Sequence, residues 1–291
     1  MRGVRLHESL PNQTEKLRTM PTLHSDKLFT GSIPEIYERY LVPLIFEDYA
    51  QDLASRVREK PVSRVLEIAA GTGVVTRAVA DALDAKVSIV ATDLNQAMLD
   101  HGASVRSDKN VEWQEADALA LPFEDESFDV VLCQFGVMFF PDRIKAYSET
   151  LRVLKPGGRY IFNVWDKIED NEFADTVTVA LTNVFPDDPP LFLPRTPHGY
   201  SNFDEIAAEL SEGGFTSTPS FETVTVRSRA QSPSIPAIAY CQGTPLRNEI
   251  ETRDSSLLEH ATEIATAALS KRFGTGVIDG KIQGHVVTVE A

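Results

Sequence analysis

Residues 65–73, VLEIAAGTG, carry an apolar strand into Gly71-x-Gly73, and the residues that follow have helical spacing. A strand that turns through glycines into a helix opens a βαβ unit, because backbone without Cβ atoms can approach a bound nucleotide closely. A second apolar run, VSIVAT at 87–92, ends at Asp93, twenty residues beyond Gly73. In units of this kind an acid at that distance accepts the ribose hydroxyls. Asp93 could instead cap the helix beginning near Asn95, but its place at a strand end favours the ribose role. The chain is thus constrained to an α/β fold with a nucleotide crevice at the carboxyl ends of its strands.

Glu67 narrows the choice of nucleotide. It lies four residues before Gly71, at the end of the strand that faces the crevice. A dinucleotide would set a pyrophosphate at this turn, where a carboxylate repels it. A ligand carrying sulfonium and ammonium charges is attracted instead, which points to S-adenosylmethionine (SAM). An NAD(P)-dependent oxidoreductase is the rival reading. Against it, Thr76 replaces the third fingerprint glycine, and no Tyr-x-x-x-Lys pair occurs. A SAM-binding protein without turnover is a second rival, which the residues leave open.

The rest of the chain alternates in the same way. Residues 33–58 have helical periodicity, and Pro43 predicts two helical pieces. Strands are predicted at 62–68, 87–92, 111–115, 128–133 and 159–165, with helices at 73–84, 95–105 and 141–154 between them. Lys155-Pro156-Gly157-Gly158 predicts a helix stop and turn. This alternation predicts a doubly wound, mainly parallel sheet. After Asp166 the pattern changes: a proline-rich stretch reaches Tyr200, then come a helix at 203–213, a strand at 219–228, helical pieces over 235–273 and a last strand at 282–290.

Composition excludes several classes. The net charge of −15, with no basic cluster to offset it, disfavours nucleic acid and anionic membranes as partners. Cys133 and Cys241 lie far apart and the six histidines are scattered, so neither a disulfide framework nor a metal site is expected. Cys133 is expected to be buried and inert. No run of about 18 apolar residues suggests a membrane helix, and the N-terminus lacks a signal-type apolar stretch, so a cytoplasmic protein is expected. Translation could start at Met1 or at Met20. A homodimer is compatible with the sequence.

Four segments together resemble the class I SAM-dependent methyltransferases, small-molecule branch, of ubiquinone/menaquinone type. They are LEIAAGTG (66–73), TDLN (92–95), ADALALPFEDESFDVVLCQFGVMFFPD (116–142) and LKPGGRYIF (154–162). The resemblance implies a Rossmann-like, seven-stranded, mostly parallel sheet with an antiparallel last strand, a helical N-terminal lid and an inserted cap. It implies SAM as cofactor, with S-adenosylhomocysteine as product. By the same resemblance Glu67, Ala69, Gly71, Thr72 and Gly73 hold the methionine end, and Asp93 the ribose. Leu94 and Met98 flank the adenine, Asp117 accepts its amino group and Ala118 donates to it. Gln134 and Phe135 line the floor near the departing methyl, and Phe29, Tyr37 and Tyr40 close over the cofactor. Packing alone would also explain Met98, Tyr37 and Tyr40, and Asp117 could be a turn residue.

The expected organisation is a flexible tail (1–24) and one methyltransferase domain (25–291). That domain divides into a lid (25–60), a SAM-binding core (61–166) and cap insertions at 167–200 and 230–278. A sulfonium already carries its leaving group, so transfer needs alignment more than acid–base machinery, and alignment is worth about 7–11 kcal/mol. A base is needed only if the acceptor must lose a proton. His198, Tyr200 and Tyr240 are the candidates, with a surface or hydrogen-bonded role as the alternative for each. Phe173, Val177, Leu181, Phe185, Phe192 and Leu193 in the cap predict a largely apolar pocket for a small or amphipathic molecule. The fourth strand ends Cys-Gln-Phe-Gly, without the Asn/Asp-Pro-Pro-aromatic motif of nucleic-acid amino methyltransferases.

Overall fold

The structure is a computed structural model that describes residues 31–106 and 108–291. Seven strands form one sheet: β1 (Arg64–Ile68), β2 (Ser88–Asp93), β3 (Val111–Glu115), β4 (Phe128–Gln134), β5 (Leu154–Trp165), β6 (Ser220–Ala230) and β7 (Ile278–Glu290). Their order is β3-β2-β1-β4-β5-β7-β6. The chain reverses its winding between β1 and β4, and that switch point opens a crevice at the carboxyl ends of the strands. β7 runs antiparallel to both neighbours, as expected for the last strand.

Strand alternation divides the core between the two faces of the sheet. Val65, Ile89, Val130 and Leu132 pack on one face with α2 (Glu47–Val57) and α3 (Val74–Ala82). Leu66, Ile68, Phe128 and Phe162 face the other way, with α5 (Arg143–Val153) and the cap. Between these lies α4 (Gln96–Val105), which links β2 to β3. Asp142 caps α5, its carboxylate accepting from the Lys145 N–H at 2.9 Å.

Two local expectations need correction. The chain does not break at Pro43. It stays helical from α1 (Ile33–Ile36) through a π-wound segment, Tyr37–Phe46, into α2, and the Glu47 N–H reaches back to the Val42 carbonyl. The wider winding gives the proline ring room that an α-turn would deny it. Residues 155–158 do not form a separate turn either. β5 begins at Leu154, and a register shift against β4 between Phe128 and Val130 takes up the irregularity, with Gly157 at φ 75°.

The cap comprises α6 (Glu172–Val184), α7 (Phe192–Arg195) and, between β6 and β7, α9 (Ser234–Gln242), α10 (Leu246–Asp254) and α11 (Leu258–Phe273). α8 (Phe203–Glu212) packs on α5, outside the cap. α11 packs on α6 and α9, and α9 packs on the π-wound segment, so lid and cap meet above the crevice. Among the described residues no helix is long and apolar enough to cross a membrane.

Candidate active site

The turn after β1 is built from left-handed backbone at Ala69, Gly71 and Gly73, with φ of 54°, 56° and 80°. Gly71 is open enough for a close ligand approach: an added Cβ would lie 3.6 Å from Met98 Cε and 4.0 Å from the Tyr37 hydroxyl. Gly73 has a different reason. A Cβ there would come within 2.2 Å of Trp113 Cη2, so this glycine lets the indole of β3 pack under the turn.

Asp93 joins the turn to β2. The Gly71 N–H donates to Oδ2 at 2.9 Å, and the Asn95 N–H donates to Oδ1 at 2.8 Å. Burial raises its pKa against these lowering hydrogen bonds. The Asn95 side-chain amide also donates to Oδ1, at 3.2 Å, so the spare acceptor capacity lies chiefly on Oδ2, and a ribose hydroxyl reaching Oδ1 would displace that amide.

Glu67 lies 2% exposed on the face of the sheet shared with Val65, and does not line the cavity. Thr76 of α3 donates its hydroxyl to Oε2, and Oε1 has no hydrogen-bond partner among the described residues. Burial pushes the carboxyl up to about 8, opposed by Thr76 and Arg77 and reinforced by Asp93.

The floor comes from the end of β4. Phe135 adopts φ 50°, held by two hydrogen bonds from its N–H to Asn163, at 3.1 Å to the carbonyl and 2.9 Å to Oδ1. Its ring lies flat on Trp165, with centroids 3.6 Å apart and planes 2° from parallel, and Tyr49 meets both rings edge-on. Gln134 donates from Nε2 to the Phe46 carbonyl at 3.3 Å, while its Oε1 is buried without a partner.

A single cavity runs from this turn to the cap. Tyr37, Ala69, Gly71, Asp93, Leu94, Met98, Asp117, Ala118, Gln134, Phe135, His198 and Tyr240 all line it. Glu67, Tyr40, Thr72, Gly73 and Tyr200 do not, and Phe29 lies outside the described residues. The Tyr40 ring lies under the Arg39 guanidinium. The Tyr200 hydroxyl is 3.0 Å from that of Tyr147 and donates to Glu209 at 2.7 Å, a buried structural role rather than a catalytic one. The Asp117 carboxylate accepts from the Leu119 N–H at 2.9 Å, so it forms a turn while still facing the cavity.

The sequence reading missed Phe46, Trp165 and Asn171 as wall residues. Trp165 carries a usable signal, since it ends the strand adjoining β4 on the crevice side. Counting the space open to solvent at its mouth, the cavity holds about 1370 Å³.

The cap wall is held by an ion pair. Arg195 Nη2 lies 2.6 Å from Glu249 Oε1, both side chains nearly fully buried, and the other Glu249 oxygen accepts from the Leu191 N–H at 2.8 Å. Gly199 then permits a tight return, since a Cβ there would lie 2.0 Å from the Arg195 carbonyl oxygen. That return brings His198 to the cavity wall. No group of three or more His, Cys, Asp or Glu residues among the described residues is arranged to hold a metal.

A doubly wound sheet with a reversed last strand, a glycine turn and an acid at the end of β2 define the class I methyltransferase fold. The sequence profile of the ubiE/COQ5 methyltransferase family matches residues 45–192, just over half of the chain, and the chain belongs to that family. The ubiquinone/menaquinone biosynthesis C-methyltransferase UbiE of Idiomarina loihiensis is 38% identical over 126 residues, covering 42% of this chain and 47% of that protein. The chain spans about half the length of the curated relatives it matches. Among solved structures, the YcgJ protein of Bacillus subtilis superposes with a TM-score of 0.52 at 22% identity, over 84% of this chain and 98% of that one. The phosphoethanolamine N-methyltransferase 2 of Haemonchus contortus, solved with phosphomonomethylethanolamine and S-adenosylhomocysteine, gives 0.55 at 15%, over 96% and 61%. At such identities these two structures establish the fold alone.

Proposed function

We propose that this chain is a SAM-dependent methyltransferase acting on a small, largely apolar or amphipathic acceptor, a quinol-type ring being the class its curated relatives suggest. One observation carries the reading: Asp93 and the Phe135–Trp165 aromatic floor face the same continuous cavity. Nucleoside and acceptor would therefore meet without leaving it. In this reading Asp93 takes the ribose hydroxyls, Leu94, Met98, Asp117 and Ala118 surround the adenine, and the Ala69–Gly71 turn holds the methionine end. SAM, when bound, supplies an electrophilic methyl group. The protein's part is to align the acceptor over Phe135 and to exclude water by closing lid and cap.

Calorimetry with SAM, S-adenosylhomocysteine and NADH tests the reading. Binding of the first two and no heat from NADH is expected. NADH binding without SAM binding would overturn it. Transfer of labelled methyl to a panel of reduced quinones tests the acceptor class, and no transfer to any hydroquinone would reject that class.

A further inference from the structure

We infer that His198 is a specificity residue, presenting its Nε2 lone pair to the acceptor chamber as the hydrogen-bond acceptor for a protonated hydroxyl group. The inference rests on the methyltransferase reading above and adds to it a named contact.

The ring tautomer follows from its one partner. His198 Nδ1 lies 2.8 Å from the main-chain carbonyl oxygen of Asp166. A carbonyl oxygen only accepts, so Nδ1 carries the proton and Nε2 carries the lone pair. Nε2 has no hydrogen-bond partner among the described residues, and the side chain lines the cavity. The ring is anchored at both ends of its backbone too: the His198 N–H donates to the Leu193 carbonyl at 3.1 Å, and Gly199 closes the turn behind it.

Burial pushes the imidazole down to about 4, so it is neutral and able to accept at any physiological pH. The same shift limits its chemistry. A phenol ionises near 10, well above this ring, so full proton transfer to it is strongly disfavoured. His198 therefore orients a hydroxyl and does not strip its proton.

The remainder of the wall sharpens the selection. Gln134 Oε1 is a second buried acceptor without a donor, and Asp93 and Asp117 are the carboxylates among the described residues that line the cavity. Among the described residues that line the cavity there is no Lys or Arg. Such a wall offers no cation to a carboxylate or phosphate on the acceptor and must desolvate it. It pairs with a ligand that brings donors.

Calorimetry on the full chain saturated with S-adenosylhomocysteine tests this with three probes of one shape: 2-naphthol, 2-methoxynaphthalene and 2-naphthoate. Wild type should bind the naphthol at least tenfold more tightly than the ether, with the naphthoate weakest. His198→Leu should bind naphthol and ether alike, and His198→Gln, which keeps an acceptor, should recover part of the preference. Both variants should bind S-adenosylhomocysteine as wild type does. A naphthol preference that survives in His198→Leu overturns the inference. So does a wild type that ignores the hydroxyl or binds none of the probes, a result that stands even if a variant fails to fold. Failure of wild type to bind S-adenosylhomocysteine would instead reject the underlying methyltransferase reading.

Discussion

The Gly71 N–H donates to the Asp93 carboxylate at 2.9 Å, so the turn after β1 and the end of β2 are fastened to each other through the group that faces the ligand. Removing that carboxylate loosens the turn as well as the ribose site. Asp93→Ala should weaken SAM binding by about 1.5–3 kcal/mol, the worth of hydrogen bonds to a charged group, or roughly 10- to 150-fold in Kd. Calorimetry with SAM measures it. Unchanged affinity would show that Asp93 is only a structural clasp.

Glu67 gives a pH signature. Burial pushes its carboxyl in the folded state up to about 8, above the ordinary glutamate value of 4.5, so between those limits the folded state holds a proton that the unfolded chain has released. Its contribution is therefore fully present below about 4.5 and is lost as pH rises toward 8. Thermal melts of wild type and Glu67→Gln at pH 5, 6.5 and 8 should diverge progressively in favour of the glutamine variant. Parallel curves would mean that the carboxyl is ionised already in the free protein.

The buried Arg195–Glu249 pair holds α7 to α10, and thus the wall that carries His198. Removing Arg195 leaves the buried Glu249 carboxylate with only Arg253, 3.8 Å away, and the Leu191 N–H, so the loss should fall below the about 3–5 kcal/mol of a wholly unpaired buried charge. Arg195→Met should lower the urea midpoint and raise the acceptor KM. SAM affinity, set at the opposite end of the cavity, should change little. Equal losses at both ends would indicate that the variant disturbs the whole fold.

Gly73→Ala places a methyl group in left-handed backbone and against the Trp113 ring. Backbone strain of this kind costs about 1–3 kcal/mol, and the indole must move in addition. The expected result is a lower melting temperature with altered tryptophan fluorescence. Trp113→Leu should recover part of the loss in the double variant, and no recovery would place the cost wholly in the backbone.

Much of the fold could be read from the sequence because backbone rules fix it locally. The glycine turn, the acid at the end of β2 and the alternation of strands and helices each follow from short-range geometry, and the cavity gathers most of the residues expected there. What could not be read depends on distant partners. Phe135 and Trp165 stack because β4 and β5 pair Gln134 with Asn163, a register that no local pattern reveals. Tyr200 looks like a pocket residue until Tyr147 and Glu209 are seen to engage its hydroxyl. Gly73 reads as a glycine for close ligand approach, yet the nearest atoms to its missing Cβ belong to Trp113, forty residues on. Pro43 signals a break because sequence patterns assume α-winding, and here the helix widens to pass it.

The most direct test of the central claim is a crystal structure of the chain with SAM bound. The account predicts both ribose hydroxyls on the Asp93 carboxylate and the methyl group directed over Phe135 toward the chamber that His198 walls. A nucleoside bound elsewhere, or a methyl group directed away from that aromatic floor, would contradict it.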